Sequence, residues 1–310
     1  MKIISKFLLI SLVLILPVLM SGCITTTKTA ITGEQGQDII SAEETLALLE
    51  ESGSEVVLVD AQKARDYKAG HVSNAVNISR SEIVVLGPFP NTLAPREKIE
   101  KALGKSGISN DTMVIVYDDN NNVDASRFWW TLKVYGHQKM KVVSGGLKAL
   151  LAAGAEQTAE VPVVTPVNYT VSKKNTELIA ALADVKTQLD QQADDVVLLD
   201  TRTPAEYNNG TIPGSILLDN RQNNYKDGTI KSIRDIHIIY READVDPEKT
   251  IILYCRSGMR ATHTLLALHN AGYRNLKLYD GSWSEWSSDS SLPVQLPSGN
   301  KVEANFQDGS

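Results

Sequence analysis

At 310 residues the chain has room for about two domains of ordinary size. Its composition, 42% hydrophobic and 22% charged, is that of a globular protein, and a net charge of −6 without a basic run leaves no electrostatic footprint for nucleic acid. The two cysteines, Cys23 and Cys255, form no C-x-x-C or Cys/His cluster, so structural zinc is excluded and no metal site is expected.

Lys2 and Lys6 flank an apolar run from Phe7 to Met20. That run is shorter than the ~20 residues a spanning helix needs, and it reads as a secretory signal. The residues after it, Leu19-Met20-Ser21-Gly22-Cys23, resemble the lipobox of bacterial lipoproteins, with Met20 in place of the more usual leucine. The resemblance implies a signal peptide over 1–22, a palmitate-bearing Cys23 as first mature residue, and a membrane-anchored protein of the cell envelope facing the periplasm or the outside. Plain secretion is the alternative. Losing Lys2 and Lys6 takes the charge to −8 and, with Cys23 lipidated, leaves Cys255 as the single free thiol. Residues 23–37, rich in Thr, Lys, Gly and Gln, read as a flexible tether.

From residue 38 onward the chain alternates short apolar strands with helical patterns, then repeats itself. Ser41-Ala42-Glu43-Glu44 is a capping box opening a helix through about Glu51. Val56 to Val59 is a strand. Pro95 to Leu103 is helical with Gly104 as its stop. Val114 to Tyr117 is a strand, Ala125 to Tyr135 a helix, and Val142-Val143 a last short strand. In the second half Val196-Val197-Leu198-Leu199-Asp200 matches Val56-Val57-Leu58-Val59-Asp60, and Tyr207 and Gly210 match Tyr67 and Gly70. Ile251 to Cys255 matches Val114 to Asp118, and Lys277 to Ser282 matches Lys141 to Gly146. The expected architecture is α/β: two copies of one module, 38–157 and 172–289, each a small parallel sheet flanked by helices. A connector spans 158–171, and a Ser/Asp/Gly-rich tail over 290–310 reads as flexible. The copies either pack together or remain independent beads.

One stretch carries the chemistry: Ile251 to Tyr254 as a buried strand, then Cys255-Arg256-Ser257-Gly258-Met259-Arg260, then a helix with Ala261, Leu265 and Leu268 on one face and Gly272 as its stop. Cys255 falls in the crevice between a strand's C-terminal end and a helix N-terminus, where α/β sheets bind ligands. Inward N–H groups, the helix dipole, Arg256 and Arg260 all favour thiolate over thiol. His263, one turn in, reads as a surface histidine rather than a base. At the corresponding place the first copy has Asp118, in an acidic loop running to Asp124 that is one residue longer. An aspartate cannot carry a persulfide, and an acidic loop repels an anion, so the first copy reads as silent.

The six-residue loop from Cys255 to Arg260 resembles the active-site loop of the rhodanese sulfurtransferases, and the duplicated chain resembles their tandem-domain members. The resemblance implies sulfane-sulfur transfer from thiosulfate to cyanide or a thiol through a Cys255 persulfide, by a monomer needing no cofactor. Arg256, Ser257, Gly258, Met259 and Arg260 would cradle the substrate, and Asp200 with Arg202 would form a supporting pair. Mercaptopyruvate sulfurtransferases carry a neutral Gly/Ser/Thr-rich loop, so the two arginines favour thiosulfate. Related cell-cycle phosphatases have a longer loop. Departures are Glu206, where some tandem rhodaneses have a substrate-binding arginine, and Ser257, where they have lysine. Trp283 reads either as a pocket wall or as a core aromatic. A sulfane-sulfur carrier delivering to a partner, or a mercaptopyruvate enzyme, is the alternative function.

Overall fold

The computed structural model describes residues 33–52, 55–297 and 301–303; the lipobox residues lie outside them. Two five-stranded sheets dominate, both wholly parallel within themselves. In spatial order the first is Ile39–Ile40, Met140–Val143, Met113–Tyr117, Val56–Asp60 and Val76–Asn77. The second repeats that order with Ile179–Ala180, Leu276–Tyr279, Thr250–Tyr254, Val196–Asp200 and Ile216–Leu217. The registers repeat too: Asp60 lies opposite Tyr117 as Asp200 lies opposite Tyr254. Asp118 and Cys255 are therefore the first residues beyond equivalent strand ends.

Alternation along the central strands assigns their two faces. Ile252 and Tyr254 face a local core with Trp286 and Tyr279, whereas Ile251, Leu253 and Cys255 face the other way. That second face is shared between the halves. Val114 and Val116 of the first sheet join Ile251 and Leu253 in one continuous apolar cluster, with Phe128, Trp129, Leu265 and Leu266 between them. The helices Val123–Val134 and Met259–Asn270 supply those residues and are buried almost throughout. The two modules thus share a core, which removes the reading of independent beads. Cys255 points toward that shared side.

Several sequence expectations change. The capping box forms, with Ser41 N–H donating to Glu44 (3.0 Å) and Glu44 N–H to Ser41 (3.1 Å). The helix Arg96–Lys105 runs through Gly104 instead of stopping there. A Cβ at Gly104 would sit 2.6 Å from the Val167 carbonyl, so glycine there admits the connector, and Gly107 (φ 74°) follows the helix end. The connector is pinned: Tyr169 and Val171 are buried, and Val171 N–H donates to Glu100 (2.9 Å). The end of the tether is fixed as well, because Gly36 N–H donates to Asn270 O (2.9 Å) and Gln35 to Ala271 O (3.2 Å). The tail is not wholly flexible. Pro293–Gln295 pairs with Lys301–Glu303, and Gln295 exchanges two 2.9 Å backbone bonds with Thr211, while Leu292 and Val294 are buried. Two apolar side chains outweigh the polar composition around them.

Candidate active site

The strand Thr250–Tyr254 delivers Cys255 to a turn that closes at Gly258 (φ 75°) and opens into the helix Met259–Asn270. The Cys255 and Arg256 carbonyls accept N–H bonds from Trp283 (3.0 Å) and Ser284 (2.9 Å), tying the turn to the segment after the last strand. Cys255 is 1% exposed and lies on the floor of a cavity that Arg256, Ser257, Met259 and Arg260 also line. The first N–H groups of a helix have no helical acceptor, and Cys255 lies just before the N-terminus of the helix Met259–Asn270, toward the positive end of its dipole.

The two loop arginines differ. Arg256 is exposed. Arg260 is locked in a fork onto Glu206, at 2.6 and 2.7 Å. That bond, helped by Thr203, holds the Glu206 carboxyl down at about 2. The guanidinium in turn is raised above its ordinary value, first by Glu206 and further by the nearby Cys255. The acid at position 206 is therefore the clamp that fixes Arg260 beside the sulfur, a role the sequence comparison alone did not suggest. Asp200 and Arg202 form a buried pair at 2.6–3.0 Å; Arg202 also reaches the Gly210 carbonyl (2.7 Å) and stacks over Trp283 at 4.4 Å. This pair does not line the Cys255 cavity. Trp283 lies half-buried beside Arg202 and Arg256 in an adjoining cleft, and Trp286 is the core aromatic.

The first module reaches into this loop. Asn91 donates to the Ser257 hydroxyl (2.9 Å), so that hydroxyl is already engaged. Arg127, fully buried, pairs with Asp280 (2.7 Å) and donates to the Asn91 carbonyl (2.8 Å). Leu93 N–H donates to the other Asp280 oxygen (2.7 Å). A Cβ on Gly258 would stand 3.0 Å from both Arg127 and Asp280, so the loop backbone rests on this ion pair. Sequence reasoning missed Asn91, Leu93 and Arg127 as supports of this loop. The available signal was an arginine immediately before the apolar run Phe128-Trp129-Trp130, a place where a charge needs a buried partner.

The rhodanese-like domain family matches this chain twice, at residues 41–153 and 181–289. The chain belongs to the rhodanese-like family. Among its relatives, the "Putative thiosulfate sulfurtransferase" of Mycolicibacterium smegmatis is 33% identical over 246 residues, spanning 75% of this chain and 88% of that protein. The sulfur carrier protein TtuD of Thermus thermophilus is 29% identical, over 74% of this chain and 86% of its own length. Among solved structures, the 3-mercaptopyruvate sulfurtransferase SseA of Escherichia coli superposes with a TM-score of 0.72 at 25% identity, covering 81% of this chain and 99% of that one. This rhodanese-like chain is thus an α/β protein of the sulfurtransferase family with two parallel-sheet domains.

The two rhodanese-like loops explain each other. In the first, the Asp118 carboxylate accepts from the N–H groups of Asn120, Asn122, Asp124 and Ala125 at 2.7–3.0 Å. The side chain fills its own anion cradle. Burial pushes its carboxyl up to about 6 against the pull of those donors. At the equivalent place Cys255 leaves the cradle to a sulfur. His263 corrects a sequence expectation: it is fully buried, not on the surface, because its helix is covered by the sheet and by the other domain. Asn220 stands 3.4 Å from Nδ1, and Nε2 has no protein partner. Burial alone lowers its value from 6.5 to about 4. Between those values the unfolded chain binds the proton and the native chain does not, so its contribution is complete above pH 6.5 and is lost as pH falls toward 4, by up to ~3 kcal/mol. Urea unfolding at pH 7 and pH 5 is expected to show a smaller loss for His263→Leu than for the parent; equal losses would remove His263 as the cause.

Proposed function

We propose that the protein is a thiosulfate sulfurtransferase carrying sulfur as a Cys255 persulfide. The observation supporting this is the sulfur in the lining of a cavity at a helix N-terminus, with Arg256 and Arg260 lining the same cavity. The thiolate attacks the outer sulfur of thiosulfate, the S–S bond breaks, and sulfite leaves with the bonding pair. Cationic and N–H donors favour both dianions. Cyanide carbon, or a thiolate, then attacks the carried sulfur, and the S–S pair returns to Cys255. Each step moves one sulfur and one electron pair, so no cofactor is required. Asp200 and Arg202 act as support behind the loop.

Resemblance to a sulfur carrier and to a mercaptopyruvate enzyme supports two neighbouring readings: delivery of persulfide sulfur to a partner, and a keto-acid donor. Arg256, a charge with no carboxylate partner among the described residues, favours the dianion as donor. The lipobox supports attachment to the cell envelope through Cys23. Intact mass of the full chain recovered from membranes reads both proposals. A lipid increment on Cys23 and a gain of one sulfur after thiosulfate, discharged by cyanide as thiocyanate, are expected. Absence of the sulfur increment overturns thiosulfate as donor. A stable increment that cyanide does not discharge favours the carrier, and an unmodified Cys23 removes the anchor.

A further inference from the structure

The cavity above Cys255 holds about 640 Å³. That is within the ~300–1,000 Å³ of sites for drug-sized ligands and well beyond the needs of thiosulfate or cyanide. Its lining comes from both domains. A hairpin from Asn224 to Ile230 leaves the catalytic domain and is pinned to the silent one at three places. Asn224 donates to Asn121 O (3.2 Å), Ile230 N–H to Ser144 (2.8 Å), and Lys148 to Asp227 O (3.2 Å). Lys148 and Lys226 both line the cavity. Of its other cations, Arg80 is neutralised by Asp124, Arg221 by Asp219 and Arg260 by Glu206, while Arg256 of the catalytic loop has no carboxylate partner among the described residues. Among the described residues no carboxylate lies within ion-pair distance of Lys148 or Lys226. One oxygen of the nearby Asp227 carboxylate accepts from Thr229 (2.7 and 2.9 Å), and these bonds, with a smaller contribution from the Lys148 charge, hold that carboxyl below its ordinary value.

We propose that this lining binds the sulfur acceptor, and that the acceptor is a low-molecular-mass thiol bearing negative charges away from its sulfur. Lys148 of the silent domain and Lys226 of the hairpin hold the charged end while the thiol reaches Cys255. The inference rests on the persulfide reading and adds the acceptor class to it. The acceptor thiol loses its proton to solvent, and its thiolate attacks the outer sulfur of the Cys255 persulfide. A new S–S bond forms on the acceptor, the old one breaks, and its pair returns to Cys255. The carried sulfur keeps its oxidation level. The silent domain, which cannot hold sulfur itself, becomes part of the recognition surface.

The test compares acceptors of one nucleophile type. Glutathione carries carboxylates, coenzyme A carries phosphates, and 2-mercaptoethanol carries no charge. The full chain, loaded with thiosulfate, is expected to prefer the two anionic thiols in kcat/KM, and the preference is expected to shrink with added salt. In Lys148→Ala/Lys226→Ala the ratio of glutathione to 2-mercaptoethanol is expected to fall about tenfold, two exposed pairs each worth a factor of a few. Lys148→Arg/Lys226→Arg is expected to restore it. A preference for coenzyme A over glutathione identifies phosphate as the charged group, and the reverse identifies carboxylate. The proposal is overturned if the parent shows no preference or if the double alanine variant keeps it. Absence of a one-sulfur mass increment on the chain after thiosulfate would instead overturn the underlying persulfide reading, and the acceptor proposal with it.

Discussion

Thiocyanate formation from thiosulfate and cyanide is expected to fall by about 10³-fold or more in Cys255→Ser, in a protein that remains folded. The reasoning begins with the sulfur. The reaction needs an atom that attacks a soft sulfane sulfur, holds it through an S–S bond, and releases it to a second nucleophile. A serine oxygen at the same place forms no such bond and remains protonated. The cradle of N–H groups and Arg260 persists, so substrate still enters and no transfer follows. The fold is expected to tolerate the change, because the position adjoins a cavity and serine differs from cysteine by one atom. Among the described residues Cys255 is the free cysteine. Initial rates of thiocyanate release, with circular dichroism as the check on folding, measure the outcome. A rate within tenfold of the parent would mean that another group carries the sulfur and that the reading of this loop is wrong.

The strand–loop–helix setting of Cys255 was legible because its signals are local: a β-branched run, a glycine at a positive φ, and a helix without breakers. The duplication was legible for the same reason, and the identical registers of Asp60 with Tyr117 and Asp200 with Tyr254 follow from matched strands. What stayed hidden depends on the other domain. His263 looks like an ordinary polar position on an amphipathic helix, and Arg127 signals a charge among apolar residues without naming its partner, yet both are fully buried because each helix is covered on two sides. Periodicity reports one buried face and cannot report a second partner from far along the chain. Glu206 looked like a loss of charge at the site; only the geometry identifies it as the partner of Arg260. In the same way, Leu292 and Val294 are too few to lift a polar tail above the threshold of composition, although each is buried.

Arg127→Met is expected to destabilise the whole chain by about 3 kcal/mol, the lower end of the range for breaking a buried pair from one side. The lower end applies because Asp280 retains 15% side-chain exposure and the Leu93 N–H, so its orphaned carboxylate is not wholly without solvation. The replacement keeps most of the apolar stem packed against Trp130, 4.6 Å from the guanidinium, so the loss reflects charge and hydrogen bonding more than volume. A shift of this size lowers Tm by roughly 5 °C in a chain of this length. Activity is expected to fall further than stability at the assay temperature would dictate. The guanidinium holds Asp280 against Gly258 and fixes the Asn91 carbonyl, and Asn91 in turn holds Ser257. Releasing it loosens the loop that carries the sulfur, and KM for the thiosulfate proposed as donor is expected to rise. The double variant Arg127→Met/Asp280→Asn separates the two effects. Removing the uncompensated charge is expected to return at least half of the lost stability, a coupling that a double-mutant cycle reads directly, while KM stays raised because the loop support is still absent. Additive losses in the cycle would show that the pair is not the source of the stability. An unchanged KM in the single variant would show that the first domain does not set the geometry of the catalytic loop.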